Sequence, residues 1–386
     1  MAKTATVTWA DAIEPEPVVW AWTGSFESDH EDSEGSHDEN GGSSESCGRI
    51  AAGTIAIAAG PEGVGKSSFG IALASRVSTG TLQGAWRGRP RNVLYVAVED
   101  SWTHTLVPRL MAAGADRSRI GRLDVMVEPN ESSVISLPVD NGLLEEAIVE
   151  HDVALVVLDP LLSLIADSID TNNERKVRKA LDPLAAIADR TQAVLLGIAH
   201  FNKSQGSDIS ARITGSGAFK NVPRAIFGFG RDPESVDREC VLTQSKNSLG
   251  RSNLPSIRYR VESASVQTPK GQTITGRFAP IGLSEKSLDE ILAGASTGPI
   301  DDPADRLSVA QEFIVTYIGA YANERGQVPS RDVLAQGEQE GYSRSELIKA
   351  RSNMGDRVGT RKVGKDGGWN WFLVQGEPAT GIVAVA

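Results

Sequence analysis

The chain has 386 residues, 40% of them hydrophobic, and a formal net charge of −11 at neutral pH. That length accommodates one large domain plus one or two small ones, and the apolar content suffices for a real core. No apolar run approaches membrane length, the N-terminus lacks a basic-then-apolar leader, and Cys47 and Cys240 alone make neither a disulfide framework nor a zinc site, so a cytoplasmic protein without a membrane partner is expected.

In chain order, residues 1–48 form a lead-in that contains a short apolar element, VVWAWTG, and then an acidic stretch over about 26–47. That stretch carries eight acids and no Lys or Arg, so the rest of the chain holds only about −3. It is too poor in apolar residues to pack and reads as a solvated, disordered loop. His30 and His37 inside it read as solvent-exposed residues, not metal ligands.

From 49 to 283 the pattern is that of an α/β core. Strand-like runs are GTIAIAAG, RNVLYVAVED, RLDVMVE, VALVVLD, AVLLGIAHF, RAIFGFG and CVLTQSK, with helical stretches between the early ones. Near-continuous Val/Ile/Leu runs signal strands buried on both faces, hence a mostly parallel, twisted sheet. The later runs, joined by short connections, read as antiparallel additions.

The residues Gly60, Pro61, Glu62, Gly63, Val64, Gly65, Lys66, Ser67 and Ser68 fit the Walker A phosphate-loop pattern G-x-x-x-x-G-K-S/T. A buried-strand run precedes them, and FGIALASRV, an amphipathic helical run, follows. Backbone N–H groups at the helix N-terminus make an anion site. Lys66 is placed to reach the β/γ-phosphates of ATP and Ser67 to hold Mg²⁺. ATP hydrolysis also needs a carboxylate for the metal and one to orient water. Asp159 ends VALVVLD, as a Walker B aspartate does, where ligands of parallel sheets bind. Glu99, at the end of VLYVAVED, is the candidate base, and strand alternation turns its neighbour Asp100 the other way. His200 ends VLLGIAH, where it can hydrogen-bond the γ-phosphate.

These motifs, in this order over roughly residues 50–282, resemble RecA-fold hexameric motors of the RepA type, known from phage and plasmid ATPases, and more distantly DnaB and RadA. The resemblance implies a RecA-like core with nucleotide sites between subunits, a catalytic glutamate at Glu99 and a phosphate sensor at His200. It also implies a channel loop over 201–221 that contacts single-stranded DNA through Lys203, Arg212 and Lys220. A second loop, from 163 to 174, is acidic, which leaves Arg175, Lys176 and Arg178 as lesser contacts. SKNSLG, 245–250, resembles the finger that reaches a neighbouring subunit's γ-phosphate. Lys246 matches, but Ser248 stands at the arginine position. Either Lys246 acts alone, or another arginine completes the site: Arg224, or after it Arg251.

Residues 284–305 read as a short helix and a Gly/Pro/Asp linker. From 306 to about 375, helices are followed by a hairpin, VGTRKVGKDGGWNWFLV, turning around Asp366-Gly367-Gly368; 376–386 form a tail. Ser343 and Glu346 form a capping box for a helix to Asn353. Between 343 and 366 there are seven bases and three acids. The pattern resembles a winged helix presenting Arg344, Lys349 and Arg351 from a helix and Arg361, Lys362 and Lys365 from a hairpin to DNA, or alternatively a winged helix that docks protein. The resulting expectation is an ATP-driven DNA translocase, a homo-hexameric replicative-type helicase acting on single-stranded and duplex DNA alongside replication proteins. The alternatives are a recombination or partition ATPase and a non-enzymatic, nucleotide-switched DNA-binding regulator.

Overall fold

A computed structural model of the chain describes residues 5–24, 48–127, 131–171, 173–201, 209, 213, 217–233, 235, 239–297, 303–323, 325–339, 342–362 and 368–374. It divides into two units, Met1–Ala293 and Gly294–Ala386. Among the described residues no helix is long and apolar enough to cross a membrane.

In the first unit, β1 (Trp20–Trp22) pairs antiparallel with β2 (Ile50–Ala51). The acidic stretch falls between these two strands and outside the described residues. Trp22 is wholly buried, its ring 5.6 Å from Phe69 and 5.7 Å from Phe227, so β1 is anchored in the core while residues 5–19 are exposed. Then follow β3 (Ile55–Gly60), α1 (Lys66–Thr79), β4 (Asn92–Ala97), α2 (Val107–Ala112), β5 (Ile120–Arg122), β6 (Val125–Val127), β7 (Glu131–Ser133), α3 (Asn141–Glu150) and β8 (Val153–Asp159). The unit continues with α4 (Glu174–Thr191), β9 (Val194–His200), α5 (Ala218–Asn221), β10 (Ala225–Arg231), β11 (Cys240–Asn247), β12 (Ser256–Thr268) and β13 (Gly271–Ser284), and α6 (Leu288–Thr297) spans the boundary between the units.

Nine strands form one sheet in the order β13-β12-β11-β10-β3-β9-β8-β4-β5. Every pairing from β10 through β5 is parallel; β11, β12 and β13 add antiparallel strands. Alternating strand residues feed opposite cores. Tyr95, Val157, Leu196 and Ile198 pack with Phe69, Ile71 and Leu73 of α1, while Leu94, Val156, Leu158 and Leu195 pack with Leu144 of α3 and Val177, Leu181 and Leu184 of α4. A parallel sheet covered on both faces is the expected consequence of its apolar runs.

Three features depart from the sequence reading. RAIFGFG, expected as an antiparallel addition, is β10 and runs parallel to β3. The long connection after His200 allows the crossover that parallel pairing requires. RLDVMVE divides between β5, at the edge of the main sheet, and β6, which pairs with β7 alone. The hairpin β12–β13 was not anticipated: its strands pair over their whole length and pack against α1 and α2.

The second unit contains α7 (Pro303–Tyr321), β14 (Gln327–Pro329), α8 (Ser330–Gln339), α9 (Arg344–Asn353), β15 (Val358–Lys362) and β16 (Trp369–Leu373). The strands form an antiparallel sheet in the order β14-β16-β15. Ile314, Ile318, Val333, Leu347, Val358 and Trp371 make its core. The capping box is present: Ser343 Oγ accepts from the Glu346 amide, and a Glu346 carboxylate oxygen accepts from the Ser343 amide at 2.7 Å. Trp371 is buried, but Trp369, on the same face by alternation, is half-exposed at the strand's start. The hairpin's turn, with Lys365, Asp366 and Gly367, lies outside the described residues.

Candidate active site

The strands β3, β9, β8 and β4 stand side by side, and their C-terminal ends deliver the polar groups of one cleft. It has a volume of about 340 Å³ and is lined by Glu62, Gly63, Gly65 to Ser68, Glu99, Asp100, Arg109, Asp159, Ile198, His200 and Val261. The phosphate loop leaves β3 at Gly60 and enters α1 at Lys66. Gly63 and Gly65 have φ of +71° and +91°, a left-handed backbone that side chains rarely adopt. No side chain caps α1, so its first amides stay available to an anion at the cleft.

Lys66 is buried, and its Nζ donates to the carbonyls of Gly60 (2.9 Å) and Pro61 (2.6 Å). Burial lowers its pKa from 10.5 to about 8, against the opposing pull of Asp159 and Glu62. His200 Nδ1 lies 3.5 Å from Lys66 Nζ. Burial first, and the Lys66 charge second, hold this imidazole below its ordinary pKa, so at neutral pH it is an uncharged hydrogen-bonding group.

Asp159 accepts a 2.8 Å hydrogen bond from Tyr95 Oη and another from the Ser67 hydroxyl. Burial raises its pKa; these two bonds oppose the rise, and the carboxylates of Asp100 and Glu99 add to it. Ser67 and Asp159 lie together in the cleft with oxygen donors that suit the hard cation Mg²⁺, and these two residues would hold it. Glycine cradle, uncapped helix, buried lysine and Ser67–Asp159 pair all fit Mg²⁺–ATP.

Glu99 lines the cleft with an exposed carboxylate. Asp100 does not turn away, as alternation implied. The strand stops at Ala97, Val98 N is tied to Asp159 O at 3.1 Å, and residues 98–100 bend, so both acids reach the cleft. Asp100 is held by Arg109 of α2 at 3.0 Å.

The sequence reading missed Tyr95, Asp100, Arg109 and Val261. For Tyr95 there was a signal: a tyrosine inside a fully apolar strand needs a partner for its hydroxyl.

The remaining predicted residues lie elsewhere. Arg224 is exposed, and its amide donates to Ile55 O at the start of β3, the opposite end from the phosphate loop. Lys246 pairs with Ile226 in the β10–β11 ladder and donates to the carbonyls of Lys220 (2.8 Å) and Asn221 (3.1 Å). Burial, with Arg224 and Lys220 nearby, lowers its pKa. Ser248 N bonds Arg224 O at 2.8 Å, so the finger-like segment and Arg224 form one cluster. Lys203 and Arg212 lie outside the described residues; Lys220 is exposed. In the second unit Arg344, Lys349, Arg361 and Lys362 are exposed, whereas Arg351 is half-buried and donates to Val358 O at 3.3 Å.

Residues 46–206 match the AAA domain family AAA_25. No curated protein matches the sequence. Among solved structures, the KaiC-like protein PH0186 from the hyperthermophilic archaeon Pyrococcus horikoshii OT3 is similar over 59% of this chain and 91% of its own, with a TM-score of 0.41 and 15% identity. The mostly parallel sheet and the strand–loop–helix of the phosphate loop give the first unit a RecA-like α/β P-loop fold, and the AAA-domain match over residues 46–206 agrees with that fold.

Proposed function

We propose that this chain hydrolyses ATP with Mg²⁺ and couples turnover to movement along DNA, as a ring-forming, replicative-type helicase. The observation that carries the hydrolytic part is the meeting of Lys66, Ser67, Asp159, Glu99 and His200 in one cleft. Phosphoryl transfer asks the protein for positioning and electrostatics more than for covalent chemistry. Ser67 and Asp159 would hold Mg²⁺, which supplies neutralisation of phosphate charge. Glu99, solvent-facing at the cleft, orients water and takes its proton at a carboxylate oxygen. Lys66 exchanges its two carbonyl partners for phosphate oxygens. Neutral His200, beside Lys66, hydrogen-bonds the terminal phosphate and registers its loss.

The ring part of the reading is supported by Arg224 and Lys246. They stand at the far end of β3 from their own phosphate loop, a strand length of about 17 Å at 3.3 Å per residue. A trans-acting cation belongs there only if it serves a neighbouring copy. Because Lys246 is committed to the α5 carbonyls, Arg224 is the better finger. The DNA part is supported by Lys220 and by the exposed Arg344, Lys349, Arg361 and Lys362; we read the second unit as a winged helix whose α9 faces DNA.

Glu99→Gln tests the hydrolytic assignment. The variant is expected to bind ATP normally and to lose at least about 100-fold in turnover, the contribution typical of a positioned base. Turnover at the wild-type rate would reassign the base.

A further inference from the structure

The hairpin β12–β13 has no place in the chemistry above, yet it touches the phosphate loop directly. Tyr259 of β12 is fully buried, and its Oη donates to the carbonyl of Val64 at 2.6 Å. Val64 sits between the two glycines of left-handed backbone, Gly63 and Gly65, and is itself buried. Two residues on, Val261 closes against the loop: a Cβ added at Gly65 would stand 2.6 Å from Val261 Cγ2. The hairpin thus meets the loop through one hydrogen bond and one steric contact.

The tyrosine is itself held. Its ring stacks on Phe278 of β13 with centroids 4.6 Å apart and meets Phe229 of β10 edge-on at 5.8 Å. Phe278 in turn lies edge-on to Phe69 of α1, the helix that the loop opens, at 5.7 Å. Loop, helix and hairpin are therefore joined through one aromatic cluster. Burial keeps the phenol protonated, so it remains a donor across the working pH range.

We infer that Tyr259 is a positioning residue for nucleotide binding: its hydroxyl fixes the Val64 peptide so that the loop's amides face the phosphates. A loop of glycines has many backbone states, and its anion affinity depends on those states being few. A carbonyl pinned from behind by a buried hydroxyl fixes the orientation of the peptide plane, including the next residue's N–H. This role rests on the ATPase reading above, and the experiment separates the two.

Tyr259→Phe removes the oxygen and keeps the stacked ring. Phe278→Leu loosens the stack and keeps the hydroxyl. Affinity for Mg²⁺–ATP and Mg²⁺–ADP is measured by calorimetry on the full chain, alongside thermal melting and, for ATP, kcat and KM. We expect Y259F to weaken both nucleotides by roughly tenfold, the scale of one buried polar group losing its partner, and to raise KM with kcat changed less than about twofold. F278L should lower the melting temperature and leave affinity within about twofold. Equal nucleotide affinity in Y259F and wild type overturns the role of Tyr259 alone. Equal loss of affinity in both variants overturns it too, because packing then accounts for the effect. No binding by the wild-type chain overturns the ATPase reading itself.

Discussion

Lys66→Met should kill turnover and yet stabilise the nucleotide-free protein. Lys66 is 5% exposed, and burial takes its pKa from 10.5 to about 8. That difference corresponds to about 3 kcal/mol of stability withheld while the ammonium is charged. Methionine keeps the apolar stem and removes the charge. It also forfeits two hydrogen bonds to the carbonyls of Gly60 and Pro61, each worth about 1 kcal/mol. The net gain is about 1–2 kcal/mol, a rise in melting temperature of roughly 2–8 °C for a unit of this size. The pH dependence has a definite sign. Below pH 8 the lysine is charged both folded and unfolded, and the burial penalty is complete. As pH rises from 8 toward 10.5 the folded form releases its proton first and the penalty fades. Wild type should therefore gain on the variant across that window. Thermal melts of both proteins at pH 7 and pH 10, without nucleotide, test this. A variant that melts below wild type at pH 7, or a gap that does not narrow by pH 10, would show that burial of the Lys66 charge does not cost the fold stability. With saturating Mg²⁺–ATP only wild type should gain stability.

Tyr95→Phe removes the hydroxyl that holds Asp159 while keeping the ring, and the Mg²⁺ concentration for half-maximal turnover should rise about 10- to 100-fold, as is typical when a metal ligand loses its supporting partner. An unchanged Mg²⁺ dependence would detach Tyr95 from the metal. Arg224→Ala should leave nucleotide binding intact and lower turnover by about 10³-fold or more, the scale of a trans-acting arginine. Mixing R224A with Lys66→Ala should restore part of the activity, because some interfaces then pair an intact loop with an intact finger; no recovery at any ratio would remove Arg224 from the shared site.

Much of the first unit was legible because glycines and apolar runs carry their structural reason with them. Gly60, Gly63 and Gly65 between a buried strand run and a helical run define the loop, although that helix is buried on nearly every side and not amphipathic as expected, and Asp159 ends a strand of six consecutive apolar residues. Asp100 was misplaced because period-two alternation holds only while the strand lasts, and this one stops at Ala97. Tyr95 was missed because tyrosine is a favourable strand residue, and its one signal, a hydroxyl needing a partner inside an apolar strand, does not say which partner. The hairpin escaped because SIRYRVESASVQT is half polar and reads as surface, although Pro269 and Lys270 before Gly271 are a turn signal between two alternating runs. Arg109 and Val261 reach the cleft only through tertiary packing, which no local pattern encodes. The cation cluster of Lys220, Arg224 and Lys246 depends on the register of β10 against β11, which spacing alone does not give.

A ring that couples ATP turnover in this cleft to DNA should respond to DNA in its ATPase rate. The most direct measurement is the ATPase rate with no DNA, with single-stranded DNA and with duplex DNA, on protein whose solution mass in an ATP analogue is known. Strong stimulation by single strands in a hexamer-sized particle is expected. A rate indifferent to DNA, or turnover by a monomer, would contradict it.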